Sequence, residues 1–294
     1  MKLVYYKSDH GNFGDDLNLW IWPKVFGDNF FNKRNDVAFM GIGSILMGNS
    51  KFIELANKSE KKVIFSTGVR SINENFNFDD SWDIRFVRGP YSSLRLTKEA
   101  NNYIADGAYF LVLLPQYKTY LNLPKKHKIS FIPYFKSLDK VDWKSICDGL
   151  GWNLILPTDG NVEQFMIDIA KSEQVISEAM HGCILADALR VPWKRLRFNA
   201  HMYEGERVSE WKWNDWMLSI DIKENSFIEA PILKRKKWFK ISKAAYKKAN
   251  RDHLISKLSQ HESISFNLST ESIMENMIEK MEKEVDAFNA KYFQ

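Results

Sequence analysis

Short apolar runs alternate with polar, helix-forming segments along most of the chain. In the first part of the chain the apolar runs lie in LVYYK, VAFMGIGSIL, KKVIFSTGV, DIRFVRG and NNYIADGAYFLVLL. Apolar runs this short, separated by helices, are typical of parallel strands that are buried on both faces of a sheet. The pattern therefore predicts an α/β fold in which these segments are strands.

The alternation restarts after NLPKKHK, a polar and proline-bearing stretch that is typical of a linker. Strand-like runs follow in ISFIPYF, WNLILPT, QVIS and WKRLRF, with helices predicted near residues 141–150 and 162–171. We therefore predict two Rossmann-like, doubly wound domains, residues 1–124 and residues 125–265.

Residues 266–294 carry apolar side chains at three- and four-residue steps, which predicts an amphipathic helix. These positions are Ile273, Met274, Met277, Ile278, Met281, Val285 and Phe288. A methionine stripe at helical spacing is most often a packing surface. We expect this helix to pack back on the body of the protein.

Composition narrows the class of protein. The 294 residues are 45% hydrophobic and 27% charged, as in soluble globular proteins. We find no uninterrupted apolar stretch of about 18 residues, and the N-terminus lacks the apolar core of a secretory signal. Cys147 and Cys183 form neither a disulfide framework nor a metal-ligand spacing. These observations lead us to expect a cytoplasmic protein without a metal site.

Glycine-bearing loops follow the predicted strands of the first domain, where open α/β sheets bind ligands. They are HGNFGDDLN (10–18), GIGS (41–44), STGVR (66–70), VRGPYSS (87–93) and ADGAYF (105–110). Glycine lets a ligand approach the backbone, but it also serves tight turns. GIGS lacks the third glycine and the downstream acid of a dinucleotide-binding fingerprint. Taken singly, each loop is compatible with either role.

The segment SEAMHG brings three polar residues to the junction between a strand and a helix: Ser177, Glu178 and His181. Free N–H groups at a helix N-terminus favour anions, and a histidine there can donate a proton near neutral pH. Glu178 would raise the imidazole pKa and fix its tautomer. In the alternative, Glu178 caps the helix and His181 fills a gap. The residues alone leave both interpretations open.

Taken together and in order, NFGDDLN, GIGSIL, STGVR, VRGPYSS, ADGAYFL and SEAMHGCILADALRVP resemble the polysaccharide pyruvyl transferase family. Within it the chain is most similar to the succinoglycan-type exopolysaccharide enzymes. The resemblance implies a fold similar to B-type glycosyltransferases, with the site in a cleft between the two domains. It also implies phosphoenolpyruvate as donor and a sugar diol as acceptor, giving a cyclic pyruvate ketal and phosphate without a metal or another cofactor.

The resemblance also implies residue roles. His181 matches the family's histidine at the phosphoenolpyruvate site, where we expect it to be the general acid. Arg88 matches the arginine after the fourth strand. Many members carry an arginine two residues before the histidine, and here that position is Ala179. A donor with a phosphate and a carboxylate needs cations, so we expect Arg195 or Arg197 to substitute, with Arg190 as a weaker candidate.

The remaining predicted site residues complete the two substrate sites. For the donor we expect contacts from Arg88, Arg195, Arg197, Ser177 and Gly182. For the acceptor hydroxyls we expect contacts from Asn12, Gly14, Asp16, Ser44, Thr67 and Arg70. Ketal formation also needs a base for the hydroxyls, which we expect to be Glu178 or Asp15.

Two other functions remain open from the sequence. A sugar-nucleotide glycosyltransferase could share this architecture, and a non-catalytic carbohydrate-binding protein could have inherited it. Binding of nucleic acid is not expected, because the basic residues lie outside any recognised reading module.

A basic segment suggests where the acceptor is met. Residues 234–248 carry eight lysines and arginines together with Trp238, Phe239 and Tyr246. If the acceptor is a lipid-linked oligosaccharide, such cations and rings suit an anionic membrane surface. We therefore predict peripheral contact with the inner face of the membrane through residues 234–251.

Overall fold

The computed structural model describes residues 1–8, 11–158, 160–233, 242–260 and 265–293. Within these ranges the strands, in chain order, are β1 (Lys2–Leu3), β2 (Val37–Met40), β3 (Lys61–Phe65), β4 (Trp82–Phe86), β5 (His127–Ile132), β6 (Asn153–Leu154), β7 (Ser172–Ser177), β8 (Trp193–Arg197) and β9 (Phe227–Glu229).

The α-helices, in chain order, are α1 (Phe13–Phe26), α2 (Lys51–Ala56), α3 (Pro90–Thr97), α4 (Tyr117–Leu121), α5 (Trp143–Leu150), α6 (Val162–Ala170), α7 (Met180–Ala188), α8 (Ala200–Glu204), α9 (Glu206–Ser219), α10 (Lys243–Leu258) and α11 (Glu271–Tyr292). Short 3-10 helices lie at Phe30–Asn32, Gly107–Leu113 and Phe135–Ser137.

The strands form two separate parallel sheets, which confirms the predicted α/β class. In the first sheet the order is β1-β2-β3-β4, and in the second it is β6-β5-β7-β8-β9. The order of the second sheet reverses at β5, whose neighbours β6 and β7 lie on opposite sides. Such a reversal is the switch point of a doubly wound sheet, where open α/β sheets bind ligands beyond the carboxyl ends of the strands.

The chain divides into two compact units whose bounds differ from the predicted domains. The first unit contains Met1–Lys118, Glu206–Asn225 and Ser269–Gln294, and the second contains Thr119–Gly205 and Ser226–Leu268. The prediction placed residues 206–225 in the second domain. They belong with the first unit because Asp215 of α9 forms a buried ion pair with Arg88, in the loop after β4.

Aromatic side chains fill the core of the first unit. Phe39 on β2 and Phe65 on β3 lie 5.1 and 5.6 Å from the Trp22 ring of α1, measured between ring centroids. Phe288 of α11 lies 5.3 Å from Phe65 and 4.7 Å from Phe26. The apolar face of α11 therefore packs on this core, as its sequence pattern predicts.

One predicted strand of the first unit is wrong. In NNYIADGAYFLVLL, Tyr103 forms only an isolated parallel bridge to Val87, and Gly107–Leu113 is a 3-10 helix. Asp106 starts that helix, because its carboxylate accepts the Ala108 N–H at 3.0 Å. The turn is buried on all sides, and a short buried apolar run has the same sequence signature in a strand and in a helix.

The second unit has its own core. Ile129 and Phe131 of β5 pack with Trp143 of α5 and Leu254 of α10. The Trp143 ring lies 4.6 Å from Phe131 and 4.9 Å from Phe198. Both predicted helices of this region, near 141–150 and 162–171, are present as α5 and α6.

Only part of the predicted membrane-contacting segment belongs to the described residues. Residues 234–241 lie outside them, while Lys247 and Lys248 of α10 are exposed. Tyr246 donates its hydroxyl to the Leu233 carbonyl at 2.6 Å, which holds that ring against the protein. Among the helices of the described ranges, none combines the length and the apolar character that crossing a lipid bilayer requires.

Candidate active site

The junction between β7 and α7 places His181 at the carboxyl end of the second sheet. Ser177 ends β7 and donates its hydroxyl to the Ala179 carbonyl at 2.8 Å. Ala179 is the N-cap of α7 and has extended backbone, so the chain turns sharply into the helix. His181 lies in the first turn, half-buried. The position that the sequence predicts for a proton donor is thus at a helix N-terminus, beside the switch point of the sheet.

Gly182 is required by packing at this junction. A Cβ at Gly182 would lie 2.3 Å from the Ser177 Oγ and 3.0 Å from the Ile132 Cδ1. Helix α7 therefore approaches the strand ends more closely than any larger residue allows. The predicted donor contacts of Ser177 and Gly182 have no separate support here, since both residues are used in closing the helix onto the sheet.

Glu178 holds three loops together. Its carboxylate accepts the Tyr134 N–H at 2.9 Å and the Ser137 hydroxyl at 2.9 Å, both after β5. It also accepts the backbone N–H groups of Asn199 at 2.8 Å and Ala200 at 2.7 Å, which follow β8. The side chain is 3% exposed.

These contacts change the interpretation of Glu178. Burial raises the pKa of Glu178, while its four hydrogen bonds act in the opposite direction by favouring the ionised form. Because both carboxylate oxygens are occupied by donors of the protein itself, they are not placed to accept a proton from a sugar hydroxyl. The geometry gives Glu178 a positioning role, in place of the predicted role as base.

The two arginines of β8 differ in their access to a ligand. The Arg195 residue is 1% exposed, and its guanidinium lies 5.3 Å from the centroid of the Phe227 ring. The side chain of Arg197 is 16% exposed, with its Nε 3.4 Å from the Glu229 carboxylate. Arg195 is Cα-paired with Ser177, so β8 lies directly beside β7. Burial makes Arg195 unsuited to the predicted donor contact, whereas Arg197 keeps some accessible surface.

Arg88 is structural in this fold. It is 0% exposed, and its Nε donates to the Asp215 carboxylate of α9 at 3.0 Å. Its Nη1 donates to the Ser44 hydroxyl at 2.6 Å, and Asp215 also accepts the Ser92 hydroxyl at 2.6 Å. The positive charge of Arg88, which the sequence analysis expects to contact the donor, is therefore neutralised by Asp215 inside the first unit. The predicted acceptor contact of Ser44 is likewise replaced by an internal bond.

Two loop glycines are explained by the same ion pair. A Cβ at Gly68 would lie 2.3 Å from the Arg88 Cζ, and one at Gly89 would lie 1.9 Å from the Asp215 carbonyl oxygen. The loops STGVR and VRGPYSS thus need glycine in order to pack around a buried arginine. Close approach of a ligand is not needed to account for either residue.

Predicted acceptor residues lie at the N-cap and in the first turn of α1 in the first unit. Asp16 is half-buried and accepts the Asn12 N–H at 3.1 Å, and the Asn12 side chain donates to Asp15. Burial, followed by the charges of Asp16 and Asp15, raises the pKa of Tyr5. Gly14 is buried in the first turn of α1. Asp15 is 8% exposed and accepts from the Asn12 side chain, so its role as base stays a prediction.

The two remaining predicted acceptor residues, Thr67 and Arg70, differ in their exposure and in their internal contacts. Thr67 is buried and donates its hydroxyl to the Gly43 carbonyl at 2.8 Å. Arg70 is half-buried, and its backbone N–H donates to the Leu46 carbonyl at 3.0 Å. Within the ranges that the structure describes, no acidic side chain forms an ion pair with Arg70. It therefore presents a positive charge at the carboxyl end of the first sheet.

Several residues that organise these loops were missed by sequence reasoning. Asn18 is fully buried, and its side chain bonds both the N–H and the carbonyl of Ile42, at 2.8 and 3.1 Å. Asp215 stands among tryptophans in WKWNDWM. An acid in such an apolar run is a usable signal, because a buried carboxylate needs a partner. Asn18 gave no comparable signal. Over the described ranges, no group of three or more His, Cys, Asp or Glu is arranged to hold a metal ion.

Comparison with known proteins identifies the family. The sequence profile of the polysaccharide pyruvyl transferase family matches residues 2–193. The succinoglycan biosynthesis protein ExoV of Rhizobium meliloti (strain 1021) is 33% identical over 223 residues, which are 76% of this chain and 66% of that protein. The match thus spans slightly less than two thirds of the relative's length. The chain belongs to the polysaccharide pyruvyl transferase family.

A search of solved structures finds the wall teichoic acid polymerase TagF, at 11% sequence identity and a TM-score of 0.34. The alignment covers 98% of this chain and 90% of that one. The likeness is too weak to support any statement about the site.

Proposed function

We propose that this pyruvyl transferase takes pyruvate from phosphoenolpyruvate and places it on two hydroxyls of one sugar in a polysaccharide precursor. The products are a cyclic pyruvate ketal and phosphate. The proposal is supported by membership of the family together with the position of His181. That residue lies in the first turn of α7 at a sheet switch point, inside the region that matches the family.

The proposed reaction begins with protonation of the donor. His181 donates a proton to the methylene carbon of phosphoenolpyruvate, which becomes a methyl group, and positive charge develops at C2. One sugar hydroxyl adds to C2 and gives its proton to a general base. A general acid of this kind typically contributes a factor of about 10² to 10⁴ in rate.

Ring closure then releases phosphate. The bond between C2 and the phosphate oxygen breaks, and the electron pair leaves with the phosphate. The second hydroxyl forms the second C–O bond to C2, and its proton goes to the departing phosphate. The proton held by that base returns through solvent to His181, so the acid and the base are restored. Cations near the leaving group stabilise the charge that develops on it.

The acceptor contacts are proposed for the first unit. Asn12 is the N-cap of α1 and Asp16 lies in its first turn, both half-buried, and Arg70 lies after β3. Amide, carboxylate and guanidinium groups suit the hydroxyls of a sugar as hydrogen-bond partners. The acceptor is proposed to be a lipid-linked oligosaccharide, met at the inner face of the membrane through residues 234–251. Salt-sensitive sedimentation with anionic vesicles, compared with neutral ones, tests that contact.

Turnover with defined substrates tests the proposal. The purified chain is incubated with phosphoenolpyruvate and a panel of lipid-linked or nitrophenyl glycosides. We expect phosphate release that depends on an acceptor, and a mass gain of the acceptor equal to the ketal. His181→Ala serves as the inactive control. Release of a nucleotide from UDP- or GDP-sugars, with no use of phosphoenolpyruvate, would instead support a glycosyltransferase.

A further inference from the structure

The donor needs cations that the predicted arginines do not readily supply. Position 179, the N-cap of α7, is an alanine and carries no charge. Arg88 and Arg195 are buried, and Arg197 lies beside Glu229. A donor with a phosphate and a carboxylate needs a further cation besides Arg197, and the present inference rests on the proposed function.

Lys136 lies on a loop that is bound to Glu178, a residue of the junction that leads into the first turn of α7. Tyr134, two residues before Lys136, donates its N–H to this carboxylate, and Ser137, directly after Lys136, donates its hydroxyl. Glu178 itself precedes His181 by three residues, and its N–H donates to the Ile132 carbonyl at 2.9 Å. The loop after β5 and the first turn of α7 are thus tied together. The tie lies at the switch point, where β5 separates β6 from β7.

The surroundings of Lys136 favour an anion. Its side chain is exposed, and its ammonium lies 5.6 Å from the Phe135 ring centroid and 5.5 Å from the Tyr203 ring centroid. In the described part of the chain, no carboxylate lies within ion-pair distance of Lys136. Aromatic rings attract a cation only weakly at an exposed site, so its charge remains available.

A second ammonium approaches the same ring. The Lys140 Nζ lies 5.6 Å from the Tyr203 ring centroid and 3.0 Å from the Asp139 carboxylate. Two like charges around one ring repel each other unless an anion lies nearby. Asp139 compensates Lys140, and the charge of Lys136 is left for a ligand.

We propose that Lys136 binds the phosphate of phosphoenolpyruvate. Lysine suits this role as a point charge, whereas a planar carboxylate is better matched by arginine. The loops after β5, β7 and β8, all bound to the Glu178 carboxylate, then form the phosphate-binding edge of the second unit.

Matched variants of two neighbouring lysines test the proposal by titration calorimetry with phosphoenolpyruvate. Lys136→Ala should weaken donor affinity by about 10- to 100-fold, as expected for loss of a charge-assisted contact. Lys136→Arg should retain affinity within a few-fold. Lys140→Ala, whose ammonium is already compensated by Asp139, should change it by less than about threefold. The KM for the sugar acceptor should not move in any of them.

Inhibition by product fragments tests which end of the donor is bound. The Lys136→Ala variant should bind inorganic phosphate more weakly than the wild type, by the same factor as phosphoenolpyruvate. Its affinity for pyruvate should be unchanged. Wild-type donor affinity in an active Lys136→Ala variant would overturn the inference and leave the proposed function intact, as would a loss confined to pyruvate. A wild-type protein that neither binds nor consumes phosphoenolpyruvate would overturn both.

Discussion

Replacing Asp215 by asparagine separates the two roles that Arg88 can have. The Arg88 and Asp215 side chains are both 0% exposed, and the closest guanidinium and carboxylate atoms are 3.0 Å apart. If the pair is structural, Asp215→Asn leaves a buried positive charge without compensation. If Arg88 instead serves the donor, the change should affect donor binding and leave the free energy of unfolding nearly unchanged.

The structure allows the size of the effect to be estimated. Removing one partner of a buried, hydrogen-bonded ion pair costs about 3 to 5 kcal/mol. Asp215 also accepts the Ser92 hydroxyl at 2.6 Å and the Ser92 N–H at 2.9 Å, which adds to the loss. With a urea m-value of about 2.5 kcal/mol per M, the unfolding midpoint should fall by about 1 to 2 M. That is a large part of the total stability of an ordinary protein, about 5 to 15 kcal/mol.

Urea unfolding followed by tryptophan fluorescence measures this shift, since Trp213 and Trp216 flank the aspartate on α9. Glu279→Gln is the matched control, because its ion pair with Lys283 is exposed and its loss should leave the midpoint unchanged. The double variant Arg88→Met with Asp215→Leu should lose less free energy of unfolding than the sum of the losses in the two single variants. An unshifted midpoint in Asp215→Asn, together with weaker binding of phosphoenolpyruvate, would refute the structural interpretation and restore Arg88 to the donor site.

Three further predictions concern the second unit. His181→Ala should lower turnover by about two to four orders of magnitude at an unchanged melting temperature, and early melting with normal turnover would contradict the proton-donor role. Gly182→Ala should cost about 1 to 3 kcal/mol in urea unfolding, because its Cβ would lie 2.3 Å from the Ser177 hydroxyl; combining it with Ser177→Ala should recover part of the loss. Burial raises the pKa of Cys147 to about 12 and that of Cys183 well above its ordinary value, so both thiols should stay protonated and react slowly with DTNB at pH 8 until the protein unfolds. Rapid labelling of either thiol in the native protein would contradict that burial.

The periodic parts of the fold could be predicted from the sequence because their signals are local. Helix α11 begins at Glu271 after the Thr270 cap, and its apolar face follows the predicted spacing. Strand β2 is buried at every position, as its unbroken apolar run indicates. The sequence pattern around Gly107 could not tell a 3-10 helix from a strand, because both require apolar residues throughout when they are buried.

The site was harder to predict, because its decisive contacts join distant residues or use the backbone. Arg88 and Asp215 are 127 residues apart, so no local pattern connects them. Three of the four donors to Glu178 are backbone N–H groups, which leave no trace in residue identity. Glycine is ambiguous for a related reason. Gly68 makes room for a buried side chain, and a glycine that makes room for a ligand would have the same sequence signature.

Each unit fixes the loops at one end of its sheet with a single buried carboxylate. Asp215 binds Ser92 and the Arg88 guanidinium, which carries the contact on to Ser44, whereas the donors to Glu178 are all uncharged. The difference has a physical consequence. Neutralising Asp215 leaves a buried charge behind, while neutralising Glu178 leaves only uncharged donors, so the second change should cost less stability. Both arrangements are complete without a ligand. The loops that carry His181 and Lys136 are therefore held in place before any ligand binds, and binding need not supply the free energy of ordering them.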